Sequence, residues 1–370
     1  MMDFIFLSRL ASLPTAPFYE HHVKEEVEII LKELFPNKEV QWKTDKYQNL
    51  IVTYKGNSKK HEKRLAYVVH MDHPAFHIFE GKAKIMGGLN PEILPGTPVI
   101  LHGKKSTKST RNAILNSRDK DGLFSLNISA NGYSFATLDL PPLTVENNII
   151  RAPVLDDLAS VAMSLVALKE IVEKKFPITI HLVFHRAEEV SFQGAYGVAS
   201  QYIFPKETLV YSVETSSYLA GGKEIAKVGG GIVLRTGDAL TPKYEETALT
   251  LLRNAKKTFN GKIQEVLMNA GSCEASLYYA LGYRAAGICL PLISWHNNGV
   301  LEGKKCIVPE GVHKDDFHNG TTYLIHVAKT LAGDDVLYKK PLKDLSTENH
   351  RKLVESIKKS FEQSRKDGLI

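Results

Sequence analysis

Two short runs constrain this fold more than anything else in the sequence: Arg64–His70 (RLAYVVH) and Ile178–His185 (ITIHLVFH). Each is almost wholly apolar over the length of one strand. A strand of that kind has to be covered on both faces, which is the situation of a central strand in a parallel sheet. After Pro153 such runs alternate with helical patterns. Helices are predicted over Asp157–Lys174, Gly194–Gln201, Tyr244–Phe259, Ala275–Leu281, Thr321–Leu331 and Thr347–Ser364, and strands over Thr208–Glu214, Gly231–Arg235, Lys262–Met268 and Gly287–Leu292. Before it, Tyr19–Phe35 is an amphipathic helix and Asn49–Tyr54 a strand. This order predicts an α/β fold with a mixed, mostly parallel sheet and helices on both faces. Residues 76–152 break the pattern. Glycine, proline and short β-like pieces dominate there, which predicts a small inserted β domain between catalytic segments 1–75 and 153–370.

Composition excludes several function classes. The chain has 370 residues, a net charge of +6 and three cysteines, Cys273, Cys289 and Cys306, with no CxxC pair. A disulfide framework and a cysteine zinc knuckle are both ruled out, and a reducing, cytoplasmic setting is expected. Lysines gather at Lys104–Lys108 and Lys304–Lys305, but no basic stripe carries interleaved aromatics, so no nucleic-acid partner is expected. The apolar run near the start follows Asp3 and no basic region, so it does not read as a signal peptide. No run approaches the roughly 18 apolar residues of a membrane span.

Polar residues concentrate where strands end, which is where open α/β sheets build sites. His70 and Asp72 close the first central strand in an HxD arrangement that suits a metal ligand with a carboxylate behind it. Asp156 and Asp157 open a helix, as caps or as a carboxylate bridging two ions. Glu188 and Glu189 follow the second central strand. Adjacent side chains point in different directions, so one can hold metal while the other meets a water as general base. Glu214 closes YSVE. A mixed nitrogen and oxygen set of this kind suits Zn²⁺, Co²⁺ or Mn²⁺. The pattern needs a second histidine. His296, after another apolar strand, competes with His313 and His318.

The order of these motifs resembles the M42 family of dinuclear metallo-aminopeptidases, in the clan shared with the M18, M20 and M28 peptidases. The resemblance runs through AYVVHMDHPAF, VLDDLASVAM, FHRAEEVSFQGAYG and YSVETS, and through Asn269–His296 without a gap. That last match favours His296. The resemblance implies a zinc-exopeptidase type of fold and two divalent ions, zinc first, held by His70, Asp156, Glu189, Glu214 and His296. It implies that Asp156 bridges, that Asp72 orients His70, and that Glu188 is the general base. It further implies peptide substrates, removal of N-terminal residues, and a homo-oligomer formed through the inserted domain.

Several positions depart from the family pattern. Glu214 and Glu274 stand where the family has Asp, and Leu158 and Ser160 replace the Arg and Gly that follow the bridging Asp. Residues Gly299–Pro309 are extra, and they leave Glu310, Asp315 and Asp316 as candidates for the acid partner of His296. Glu214 opens a deacylase or carboxypeptidase reading on the same site. A catalytically silent scaffold is the third alternative.

Overall fold

The computed structural model describes residues 2–57, 63–103, 110–334 and 347–369. The lysines at 104–108 lie outside them. At the centre, Thr179–His185, Arg64–His70, Leu209–Ser217 and Arg284–Ile293 lie side by side and parallel within an 11-stranded mixed sheet. All of Thr179–His185 is buried, as its apolar sequence requires. Antiparallel strands flank this centre: Leu50–Lys55 and Gln41–Thr44 on one side, and Glu310–His313, Ile149–Ala152 and Thr144–Glu146 on the other. Ile232–Asp238 also pairs with Arg284–Ile293 and carries Ile263–Met268 beside it.

Helices cover the sheet. Leu158–Glu173 packs with Met2–Leu10 and Lys314–Gly333, while Gln193–Ser200, Glu274–Ala280 and Glu348–Lys366 form a second group. Leu158–Glu173 is apolar nearly all round, which suits a helix held between the sheet and its neighbours. No described helix is long and apolar enough to cross a membrane.

Among the described residues, six strands lying between Ala75 and Leu138 form a closed antiparallel barrel around their own core, which includes Phe76, Leu101, Leu115 and Phe124. The hairpin at 144–152, predicted to lie with this β region, pairs instead with the large sheet through Glu310–His313.

Two helices differ from the periodicity reading. The apolar run at the start is the Met2–Leu10 helix. The helix predicted from Thr321 begins at Lys314: the His313 ring accepts a hydrogen bond from Asp315 N at 3.2 Å, and Asp315 and Asp316 occupy the first turn. Polar capping residues hid that turn from an apolar periodicity. The extra residues after His296 form a hairpin, Asn298–Leu301 with Lys304–Ile307, whose Ile307 packs on the barrel core.

Candidate metal centre

The parallel strands end at one edge of the sheet. His70 is in register with His185 on the neighbouring strand, and Glu214 ends its apolar run on the other side of His70's strand. Asp156 reaches the same point from the start of the Leu158–Glu173 helix, and Glu188 and Glu189 from the loop after His185. His296 comes from the short turn Trp295–Asn297, where Ser294, His296 and Asn297 have φ of 58°, 53° and 61°.

The two Asp156 oxygens face different groups. Oδ1 lies 3.2 Å from His70 Nε2, which is also 3.5 Å from Glu214 Oε1. Oδ2 lies 3.5 Å from His296 Nε2, which is 3.2 Å from Glu189 Oε1. Three sets therefore offer donor atoms within 4.8 Å of one another: His70, Asp156, Asp157 and Glu214; Asp156, Glu189 and His296; and His70, Glu188 and Glu189. Asp156 Oδ1 and Glu189 Oε1 are buried and make no hydrogen bond, although each lies 3.2 Å from an imidazole nitrogen. Buried acceptors that converge without aligned donors fit a shared cation. On this test the residues present suit divalent metal.

Asp72 acts on both sides of the site. Its carbonyl, 3.1 Å from His70 Nδ1, fixes the ring, with the carboxylate at 3.7 Å. The carboxylate itself accepts the backbone N–H groups of Glu188 (3.0 Å) and Glu189 (3.1 Å). One residue thus orients the His70 ring and holds the two glutamates in place.

Sequence reasoning left the acid partner of His296 open among three residues. Glu310 meets the backbone rather than the ring: Oε1 accepts His296 N at 2.9 Å, and Oε2 accepts Leu155 N at 2.8 Å and Asp156 N at 2.9 Å. Asp316 accepts the N–H groups of Gly229 and Gly231, away from His296. His313 caps its helix, and His318 lies 3.5 Å from Asp3, so neither joins the cluster. Glu274 pairs with His185 at 2.5 Å inside the protein, where His185 Nε2 also meets the Tyr278 hydroxyl at 3.0 Å. His73 was not singled out from the sequence. Its Nδ1 lies 2.6 Å from the Asp156 carbonyl and its Nε2 3.0 Å from Asn297 Oδ1. Its only sequence signal was its place directly after the HxD motif.

Charges at the site are strongly displaced. Burial raises the Glu188 pKa well above the usual carboxylate value, and Glu214, Glu189 and Glu274 push the same way against His70. Burial also raises Glu214, to about 8, although His70 opposes it. For His70 burial disfavours the cation, but Glu188, Asp156, Asp72 and Glu214 outweigh it and raise its pKa. His296 behaves likewise through Glu189 and Asp156. Asp156 is lowered because His296 and His70 overcome the cost of its burial. Carboxylates and imidazoles gathered this closely hold protons between them, which a bound cation would displace.

The barrel closes on this site. A Cβ on Gly88 would collide with His296 Nδ1, so only glycine lets that barrel loop lie against the ring.

Residues 115–305 match the sequence pattern of the M42 glutamyl aminopeptidase family. No curated protein matches the chain. Solved structures do. The Pyrococcus horikoshii TET1 peptidase, which can assemble into a tetrahedron or a large octahedral shell, is 21% identical with a TM-score of 0.70, over 88% of this chain and 99% of its own. A TET aminopeptidase from a marine-sediment thaumarchaeote is 18% identical with a TM-score of 0.72, over 95% of this chain and 98% of its own. An aminopeptidase from the archaeon Desulfurococcus kamchatkensis is 18% identical with a TM-score of 0.71, over 91% and 99%. These likenesses establish the mixed-sheet fold with its small barrel. The family pattern spans more than half of the sequence, and the chain belongs to the M42 glutamyl aminopeptidase family of peptide hydrolases.

Proposed function

We propose that this aminopeptidase works with two divalent metal ions, zinc first and Co²⁺ or Mn²⁺ as alternatives, and removes N-terminal residues from peptides. The observation that carries the reading is the division of Asp156: one oxygen faces His70 and Glu214, the other His296 and Glu189. His70, Glu214 and Asp156 would hold one ion, and His296, Glu189 and Asp156 the other. Metal bound there supplies a Lewis acid for the scissile carbonyl and lowers the pKa of a water.

The chain's own groups do the rest. Glu188 is the general base: it takes the proton of the attacking water and returns it to the leaving amine. Its backbone is tied to Asp72, and burial raises its proton affinity, which suits a group that must pick up a proton and hold it. Glu310 and Asp72 keep the loops carrying the ligands in place.

We also read the barrel as a unit inserted into the catalytic chain path, with the 144–152 hairpin on the catalytic side, and as the surface through which copies of the chain associate. The assemblies of the solved relatives support association. The three unpaired cysteines suit a cytoplasmic location.

The test is an assay of chelator-stripped protein, with metal added back, on peptides with free and blocked N-termini. Free-N-terminus peptides should be cleaved. Turnover of blocked substrates alone would overturn the reading. Glu188→Gln should cost about 10²–10⁴-fold in kcat with metal content unchanged.

A further inference from the structure

We propose that Trp295 is a positioning residue for Asp156, whose indole N–H fixes the carboxylate in the orientation that two metal ions need. Its Nε1 donates to Asp156 Oδ2 at 3.0 Å. Among the described residues this is the one hydrogen bond to that carboxylate, because Oδ1 has none and the His296 contact to Oδ2 is a 3.5 Å ion pair. An aspartate held only by two imidazoles of changeable charge would turn about its side-chain torsions. The indole removes that freedom.

Neighbouring groups hold the ring in place. It lies against the His296 imidazole with centroids 4.0 Å apart and planes at 34°. Its outer edge faces Gly271, where an added Cβ would come within 3.7 Å of Cζ2 and Cη2. Asn298 Nδ2, at the foot of the extra hairpin, donates to the carbonyls of Trp295 and His296, both at 3.2 Å, and so closes the turn that sets the two rings side by side.

Indole chemistry suits this duty. Trp is a donor only and carries no charge. It occupies one lone pair of Oδ2 and leaves the negative charge of Asp156 for cations. A lysine or arginine there would cancel that charge, and a carboxylate or carbonyl would repel it.

The inference rests on the two-ion reading, and the test separates them. Trp42 and Trp295 are the two tryptophans of the chain, so a Trp42→Phe protein reports Trp295 alone. In full-length Trp42→Phe protein stripped of metal, ultraviolet resonance Raman should show a hydrogen-bonded indole N–H, and its frequency should move as Zn²⁺ is titrated in. A free N–H signal, or a signal that ignores Zn²⁺ while calorimetry records its uptake, would overturn the proposal.

Trp295→Phe keeps the ring stacking and removes the donor. It should weaken Zn²⁺ binding at the looser site about tenfold, as loss of a group that orients a ligand does. Native affinity at both sites would overturn the proposal and leave the two-ion reading standing. Failure of the unaltered chain to bind any Zn²⁺ would remove both. If Trp295→Phe does not fold, the Raman titration of the Trp42→Phe protein decides.

Discussion

Glu310 is the residue whose removal tests most of this account at once. It is fully buried, lies beyond the inserted hairpin, and accepts three backbone hydrogen bonds from the two loops that carry Asp156 and His296. Glu310→Ala leaves the N–H groups of Leu155, Asp156 and His296 without an acceptor. Each buried donor without a partner costs ~1–3 kcal/mol, so a loss of ~3–5 kcal/mol is expected once water enters the space left behind. Glu310→Gln keeps size and shape but offers one oxygen where the carboxylate offered two. It should cost about half as much. Both loops bear on Asp156 or His296, so either variant should also weaken metal binding by about 10–100-fold. The assays are urea unfolding of metal-free protein and calorimetric titration with Zn²⁺. A loss of ~3–5 kcal/mol should lower the urea midpoint by on the order of 1 M. If Glu310→Gln keeps both its midpoint and its Zn²⁺ affinity, Glu310 does not tie these loops together.

Other perturbations give sharp expectations. Gly88→Ala drives a methyl group into the His296 ring, so Zn²⁺ affinity and turnover should both fall at least tenfold while the barrel still folds, as read by circular dichroism. The barrel histidine His102 has a pKa lowered to about 4, first by burial and then by the nearby His22. The unfolded chain takes up that proton first. The stability His102 contributes is therefore complete above about pH 6.5 and is lost as pH falls toward 4, roughly 3 kcal/mol in all. His102→Gln should flatten that part of a midpoint-versus-pH curve, and an unchanged slope would refute the assignment.

How much could be read in the sequence follows from what a strand end looks like. His70, Glu188, Glu189, Glu214 and His296 each follow an apolar run that could only be a buried strand, and parallel strands deliver their ends to one edge. Those five, with Asp156, lie together in the fold. What escaped depended on distance or on backbone contacts. Glu310 reaches His296 across a hairpin of extra residues and acts on N–H groups, which leave no mark in sequence. His185 and Glu274 are 89 positions apart, and only the packing of the Glu274–Ala280 helix joins them. The carboxylate of Asp72, expected behind the His70 ring, holds the two glutamates, and its carbonyl takes the ring. The 144–152 hairpin shares its β character with the barrel, and only pairing partners assign it to the large sheet.

The central claim is that Asp156 stands between two metal ions. Anomalous diffraction from crystals grown with Zn²⁺, recorded above and below the zinc edge, measures this directly. The account predicts two peaks, one beside His70 and Glu214 and one beside His296 and Glu189, with Asp156 between them. A single peak, or zinc bound away from Asp156, would contradict it.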